Sequence, residues 1–229
     1  GACMRQKVSD YIADFLAERE ITQIFTVVGG GAMHLNHSFG HHPRLHCLYN
    51  HHEQASAMAA ECYARVHGRI AVVCVTSGPG ALNALNGVVG AYQDSIPMLV
   101  ISGQAKRDLC IHGCGGKIRS IGGQEVDIVP AVQQNMTKYA VMVMDPERIR
   151  YELEKALYLA REGRPGPSWL DIPLDVQGGG IETDALEGFE PPAPSAQINL
   201  PQIARGLLAR LRAAERPVLY AGNGLRWSG

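Results

Sequence analysis

The sequence predicts an α/β protein: a doubly wound, mainly parallel sheet with helices on both faces, followed by the start of a second α/β domain. Three observations predict it. Strand-length apolar runs alternate with helix-period segments across residues 4–175, the pattern of successive βαβ units. The runs "IAVVCVT" and "PMLVISG" are apolar without alternation, as in strands covered on both faces. Glycines stand where strands end, at Gly29–Gly31, at Gly78 and Gly80, and at Gly103, where such sheets turn toward a ligand.

The elements follow in order. "VSDYIADFLAERE" puts Val8, Tyr11, Ile12, Phe15 and Leu16 on one helical face, with Ser9 or Asp10 near its start. "QIFTVV" is a short β-branched run that ends in Gly29-Gly30-Gly31, and "AMHLNHSF" is a short helix. "RLHCLY" is the second strand and "EQASAMAAECYARVHG" the second long helix, closed by Gly68. "IAVVCVT" stops at "SGPG"; "ALNALNGVVGAYQ" is the next helix and "PMLVISG" the next buried strand. From Gln104 to Gln124 the chain is polar and glycine-rich, a long loop expected to lie over the ligand edge. "EVDIVPAVQ", "KYAVMV", "PERIRYELEKALYLARE" and "PSWLDIP" supply a helix, strand, helix and strand. From Pro173 to Gln197, counting both ends, the chain carries Gly178-Gly179-Gly180 and four prolines, which read as a linker. "NLPQIARGLLARLRAAERPVLYAGNG" is then a helix and a strand of something new. The expected division is 4–175 for the first domain, 176–198 for the linker and 199–229 for the beginning of a further, incomplete domain.

Composition narrows the function. The 229 residues carry a net charge of −1, with 46% apolar and 19% charged residues. There is no basic excess to attract nucleic acid and no acidic tail. No apolar run approaches the roughly 20 residues of a membrane span, and "GACMRQKVSD" has no signal-peptide core. The six cysteines form no Cys-x-x-Cys pair, so they read as reduced thiols and place the protein in the cytoplasm.

Right-handed crossovers bring the C-terminal ends of parallel strands to one edge. Gly29–Gly31, Glu53, Ser77–Gly80 and Gly103 are therefore expected to cluster there. The dinucleotide fingerprint G-x-G-x-x-G fails in both glycine loops, with His34 and Asn83 at the third glycine position. Seven of the nine histidines lie between His34 and His52, and Cys110, His112 and Cys114 follow in "CIHGC". Their spacings match no compact zinc pattern, and no metal site is expected on this chain. Glu53 is the sharp feature. Glutamate in a first helical turn is common and gains ~0.3–1 kcal/mol from the helix dipole. The helix beyond it, "ASAMAAECYA", is made of small residues that imply tight packing. A carboxyl in so dry a place is suited to holding or giving a proton.

At this point "NHHEQASAMAAECYAR", "TSGPGALNALNGVVGAYQDSIPMLVISGQ" and "GRPGPSWLDIPLDVQ", in this order and spacing, resemble the N-terminal, pyrimidine-binding domain of thiamine diphosphate-dependent enzymes. The nearest branch is similar to acetolactate synthase large subunits. The resemblance covers roughly Lys7 to Gln177, and "RPVLYAGNG" resembles the first strand of that family's central domain. It implies the thiamine diphosphate-binding fold. It also implies that Glu53 pairs with N1′ of the cofactor's aminopyrimidine and so helps to form the C2 ylid, which attacks a 2-oxo acid substrate. Val28 and Gly29 would line the aminopyrimidine pocket. Gly78, Pro79, Gly80 and Asn83 would form the turn and helix start beside the cofactor, and Gln124 would face the reacting centre from the partner side. His51 and His52 would be outer-shell groups. The acetolactate synthase pattern has proline where Val28 stands and phenylalanine where Gly123 stands, which puts acetolactate itself as the product in question. The family holds the diphosphate and Mg2+ on a C-terminal domain marked by Gly-Asp-Gly, a motif this sequence does not contain. The resemblance admits FAD in the full-length enzyme and implies a homodimer or tetramer. It makes this chain by itself inactive. The alternative is a binding or regulatory module that keeps the fold without the chemistry.

Overall fold

Six short runs line up as one parallel sheet because the helical connections between successive strands return the chain to the same edge. The computed structural model describes residues 5–112, 114, 117–122, 125–193, 199–222 and 224–227. In chain order the elements are β1 (Arg5–Lys7), α1 (Val8–Glu18), β2 (Gln23–Thr26), α2 (Met33–His41), β3 (His46–Tyr49), α3 (Glu53–His67), β4 (Val72–Val75), α4 (Pro79–Asn83) and α5 (Leu85–Gln93). Then come β5 (Met98–Gln104), α6 (Ile128–Gln133), β6 (Tyr139–Met142), α7 (Ile149–Arg161), β7 (Pro167–Pro173), α8 (Leu174–Gln177), β8 (Gly180–Glu182), α9 (Leu200–Ala213) and α10 (Gly224–Trp227). The sheet order is β3-β2-β4-β5-β7-β6, all parallel. A separate antiparallel pair joins β1 to β8.

Alternation along the strands sends side chains to two helical layers. Ile24, Val72, Cys74, Leu99, Ile101, Leu170 and Ile172 form one core with α1, α2 and α7, through Ile12, Leu16, Leu35, Phe39, Ile149 and Leu153. The opposite layer is α3, α5 and α6. Every residue of β4, β5 and β7 is buried, as expected for continuous apolar strands. β3 is the exception. It is an edge strand, and His46, Leu48 and Tyr49 are exposed.

The small residues of α3 allow a close helix crossing. A Cβ added to Gly87 of α5 would stand 2.5 Å from Ala57 Cβ and 2.7 Å from Met58 N. Ala57, Ala60 and Ala64 of α3 are buried. His52 caps the start of this helix by accepting from Gln54 N at 3.1 Å, and Gly68 closes it in the left-handed region at φ 65.

A polar network crosses the apolar interior. Trp169 Nε1 donates to Ser102 Oγ at 2.7 Å, Ser102 Oγ donates to Asp171 Oδ1 at 2.6 Å, and Gln104 Nε2 donates to Asp171 Oδ2 at 3.0 Å. Gln104 Nε2 also reaches Val126 O at 2.8 Å, tying the segment before α6 to the strand edge. Burial pushes the Asp171 carboxyl up to about 7, against the opposing pull of the Ser102 and Gln104 hydrogen bonds.

Two expectations need correction. The stretch 176–198 was expected to be a linker, yet it packs as far as Phe189, where the first compact unit ends. Val176, Ile181 and Leu186 are buried in the core, and the Phe189 ring stands 5.5 Å from those of Tyr151 and Tyr158. Glycine and proline density hid these well-spaced apolar anchors. The run "RPVLY" was expected to be a strand, but the described residues around it form none. A strand needs a neighbour for its N–H and C=O groups. The second unit begins at Glu190 and contains α9, an amphipathic helix whose residues are all exposed.

Gly87→Ala is expected to destabilise the fold by about 1–3 kcal/mol, since α3 backbone must move to admit the methyl group; thermal unfolding measures it. Asp171 gives a pH dependence. Between the unfolded value of 3.8 and the folded value of about 7, the folded chain keeps a proton that the unfolded chain has released. Stability therefore falls as pH rises through that window. Asp171→Asn is expected to flatten the decline, and parallel stability–pH curves for the two proteins would contradict this.

Candidate active site

The sheet winds outward from β2 to β3 and then returns to the other side of β2 with β4. The loop after β2 leads to α2 on one face, and the turn after β4 leads to α4 and α5 on the other. Adjacent strands whose connections part in this way leave a crevice at their C-terminal ends, the usual ligand position in open α/β sheets.

Thr76 organises this crevice. Its Oγ1 accepts from Gly31 N at 3.0 Å. A Cβ at Gly29 would run into the Thr76 side chain, and one at Gly80 would lie 2.7 Å from its Cγ2. Asn36 holds the same loop from α2, with Oδ1 accepting from Gly29 N at 3.3 Å and Nδ2 donating to Thr26 Oγ1 at 3.2 Å. From the third strand end, Gly103 meets the loop so closely that a Cβ there would strike the Gly31 carbonyl. Gln177 Nε2 donates to that carbonyl at 2.7 Å. Gly78 adopts φ 57, open to glycine at little cost, and Pro79 follows at the first position of α4.

Glu53 is the first residue of α3 and is 9% exposed. Asn83 Nδ2 donates to its Oε2 at 3.0 Å. Oε1 lies on the Gly80 side, 3.3 Å from where a Cβ on that glycine would stand. Among the described residues no donor reaches Oε1, and no cation pairs with Glu53. The other buried acids differ. Asp171 has a donor on each oxygen, and Glu125 accepts from Ile111 N at 2.9 Å and Ile121 N at 2.7 Å. Glu152 accepts from Tyr139 Oη at 2.5 Å and faces Arg148 at 3.9 Å. Glu53 alone among these four keeps one oxygen free of described partners.

The structure thus brings Gly29, Gly80, Asn83 and Glu53 together around Thr76. Val28, 60% exposed, stands at the loop's outer side. His51 is exposed, and His52 serves as the α3 cap. Gln124 and Gly123 lie outside the described residues. The loop that precedes them is held by Glu125, and by His112 Nδ1, 2.9 Å from Asp127 Oδ2. Among the described residues no cluster of His, Cys, Asp and Glu could hold a metal ion. Burial pushes the Cys74 and Cys110 thiols up to about 12, so neither acts as a nucleophile at neutral pH. Thr76, Asn36 and Gln177 were not singled out from the sequence. Asn36 left a signal, being a polar turn-former inside a helix, where its side chain is free to bind nearby backbone.

The profile of the family described as "Thiamine pyrophosphate enzyme, N-terminal TPP binding domain" matches residues 6–130. Acetolactate synthase 2, chloroplastic, of Nicotiana tabacum is 33% identical over 226 residues, covering 96% of this chain and 32% of that protein. Acetolactate synthase 1, chloroplastic, of Oryza sativa subsp. japonica is 31% identical over 241 residues, covering 100% of this chain and 35% of that protein. The Arabidopsis thaliana acetolactate synthase, chloroplastic, is 32% identical over 226 residues, covering 96% and 32%. This chain therefore spans about a third of the length of the curated relatives it matches. Its parallel sheet, its glycine-lined crevice and the profile match agree: the chain belongs to the thiamine pyrophosphate enzyme family, as an N-terminal TPP binding domain.

Proposed function

We propose that this chain is the N-terminal part of a thiamine diphosphate-dependent 2-oxo acid decarboxylase and carboligase of acetolactate synthase type. The observation that carries this reading is the Glu53 carboxyl, 9% exposed at the crevice, with Oε2 held by Asn83 and Oε1 without a described donor. A buried carboxyl with one uncommitted oxygen suits a ligand that presents a ring nitrogen. The surroundings suit the ring itself. Val28 offers an exposed apolar face, and a Cβ at Gly30 would meet nothing within 4 Å, so the loop backbone is bare to a ligand.

Bound thiamine diphosphate supplies the nucleophilic carbon and electron sink for breaking and making bonds beside a carbonyl. The chain supplies binding, orientation and a proton. Val28, Gly29, Gly78, Pro79 and Gly80 would hold the aminopyrimidine, with Asn83 beside them. Glu53 holds and returns a proton at Oε1, and the family resemblance gives Gln124 a catalytic role. Glu53 is 9% exposed, and this partial exclusion of water strengthens the interaction of its carboxyl with a bound ring. Mg2+ and the diphosphate belong to a part of the enzyme outside this chain, and FAD is to be sought in the full-length protein. The enzyme acts as a homodimer or tetramer. The free thiols of Cys47, Cys62, Cys74, Cys110 and Cys114 fit a reducing compartment such as the cytoplasm. Among the described residues no helix is long and apolar enough to cross a membrane.

The test uses the full-length enzyme with pyruvate, thiamine diphosphate and magnesium, following carbon dioxide release and product mass. Glu53→Gln is expected to lower turnover roughly 100- to 10,000-fold, with unchanged far-ultraviolet circular dichroism. Near-normal turnover in that variant would remove the role given to Glu53. No turnover in the parent enzyme, together with no exchange of the cofactor's C2 proton, would favour a non-catalytic module.

A further inference from the structure

A proton relay through a carboxyl works only if the proton sits on the oxygen that faces the acceptor. Rotation about the last side-chain bond of a glutamate is broad and roughly two-fold, so helix position alone does not choose between the two oxygens of Glu53. Local contacts do. Oε2 receives Asn83 Nδ2 at 3.0 Å, while the absent side chain of Gly80 leaves the Oε1 side clear. An amide N–H only donates. A hydrogen on Oε2 directed at Asn83 would meet another hydrogen, so a proton arriving at this carboxyl settles on Oε1.

We propose that Asn83 is a positioning residue that fixes the rotation of the Glu53 carboxyl and keeps its proton on Oε1. The proposal rests on the reading of Glu53 as the group that pairs with the cofactor ring. It goes further by assigning the Asn83 amide to the acid rather than to the cofactor. Asn83 is the last residue of α4, a helix started by Gly78 and Pro79 and packed against α3. The turn from Thr76 to Gly80 and α4 itself bring no ionisable side chain to Glu53. The ionisable groups on the elements around it are His51 and His52, which precede it, Glu61, Cys62, Tyr63, Arg65 and His67 further along α3, Cys74 on β4, and Tyr92 at the far end of α5. A second acid introduced at position 83 would therefore read out directly on Glu53.

The experiment uses the full-length enzyme loaded with thiamine diphosphate. It follows exchange of the C2 proton by quenched-flow NMR, the near-ultraviolet circular dichroism of the aminopyrimidine tautomers against pH, and cofactor affinity by calorimetry. Asn83→Ala is expected to slow exchange by about 10- to 100-fold, with cofactor affinity changed less than about threefold. Asn83→Asp has nearly the shape of the parent residue and so serves if the alanine variant fails to fold. It sets two carboxyls against each other, and the midpoint of the tautomer transition is expected to rise by about one pH unit. Parent-like exchange in Asn83→Ala and a parent-like midpoint in Asn83→Asp, where Glu53→Gln has lost exchange, would overturn the proposal and leave the reading of Glu53 standing. Parent-like exchange in Glu53→Gln would remove that reading, and the proposal with it.

Discussion

The ligand edge depends on one backbone approach, that of the first glycine loop to the ends of β4 and β5. Gly31 is held from three directions: its N–H by Thr76, its carbonyl by Gln177, and its main chain by contact with Gly103. These residues come from distant parts of the sequence, so the loop takes its shape only once the sheet has assembled. Side chains at Gly29 or Gly103 would push the loop outward. With the inner side fastened, the outer side stays bare, and the crevice is open at Gly30 and Val28.

From that contact the arrangement reaches Glu53 through Thr76 and Gly80. Glu53 is not held by its own helix alone. The α3–α5 crossing at Ala57 and Gly87 sets where the helix begins, and α4 brings Asn83 across to Oε2. Hydrogen bonds to charged groups contribute about 1.5–3 kcal/mol. Removing a carboxylate from water costs several kcal/mol even after relaxation. Asn83 alone does not offset that cost, so the carboxyl calls for a further donor at Oε1 from solvent or ligand.

Much of this was legible because it depends on period and punctuation. Continuous apolar runs marked β4, β5 and β7, glycines marked the strand ends, and the small residues of α3 marked a close crossing. What escaped depended on tertiary partners. β1 is the polar tripeptide "RQK" and exists through pairing with Gly180–Glu182. α8 and β8 were hidden in a glycine-rich stretch whose buried residues are far apart. The helix expected from Ala81 to Gln93 is broken at Ala84 into α4 and α5, which presents Asn83 to the acid. Thr76 looked like an ordinary strand-end threonine, since its role is visible only when the loop from β2 lies beside it.

The buried acids show how a structural carboxylate differs from one kept for chemistry. Burial depth does not separate them, since Asp171 is deeper than Glu53. What separates them is whether each oxygen's acceptor capacity is spent inside the chain. Asp171 locks two strands with two side-chain donors, and Glu125 gathers two backbone N–H groups of one loop. Both are closed systems, and a ligand could reach either only by breaking a bond already made. Glu53 is half closed. Its held oxygen gives direction, and its other oxygen gives capacity. Neither alone would serve, because a freely rotating carboxyl cannot aim a proton and a fully satisfied one has nothing left to offer. Glycine at position 80 preserves that balance, since a side chain there would crowd Thr76 and stand against Glu53 Oε1, which no described donor reaches.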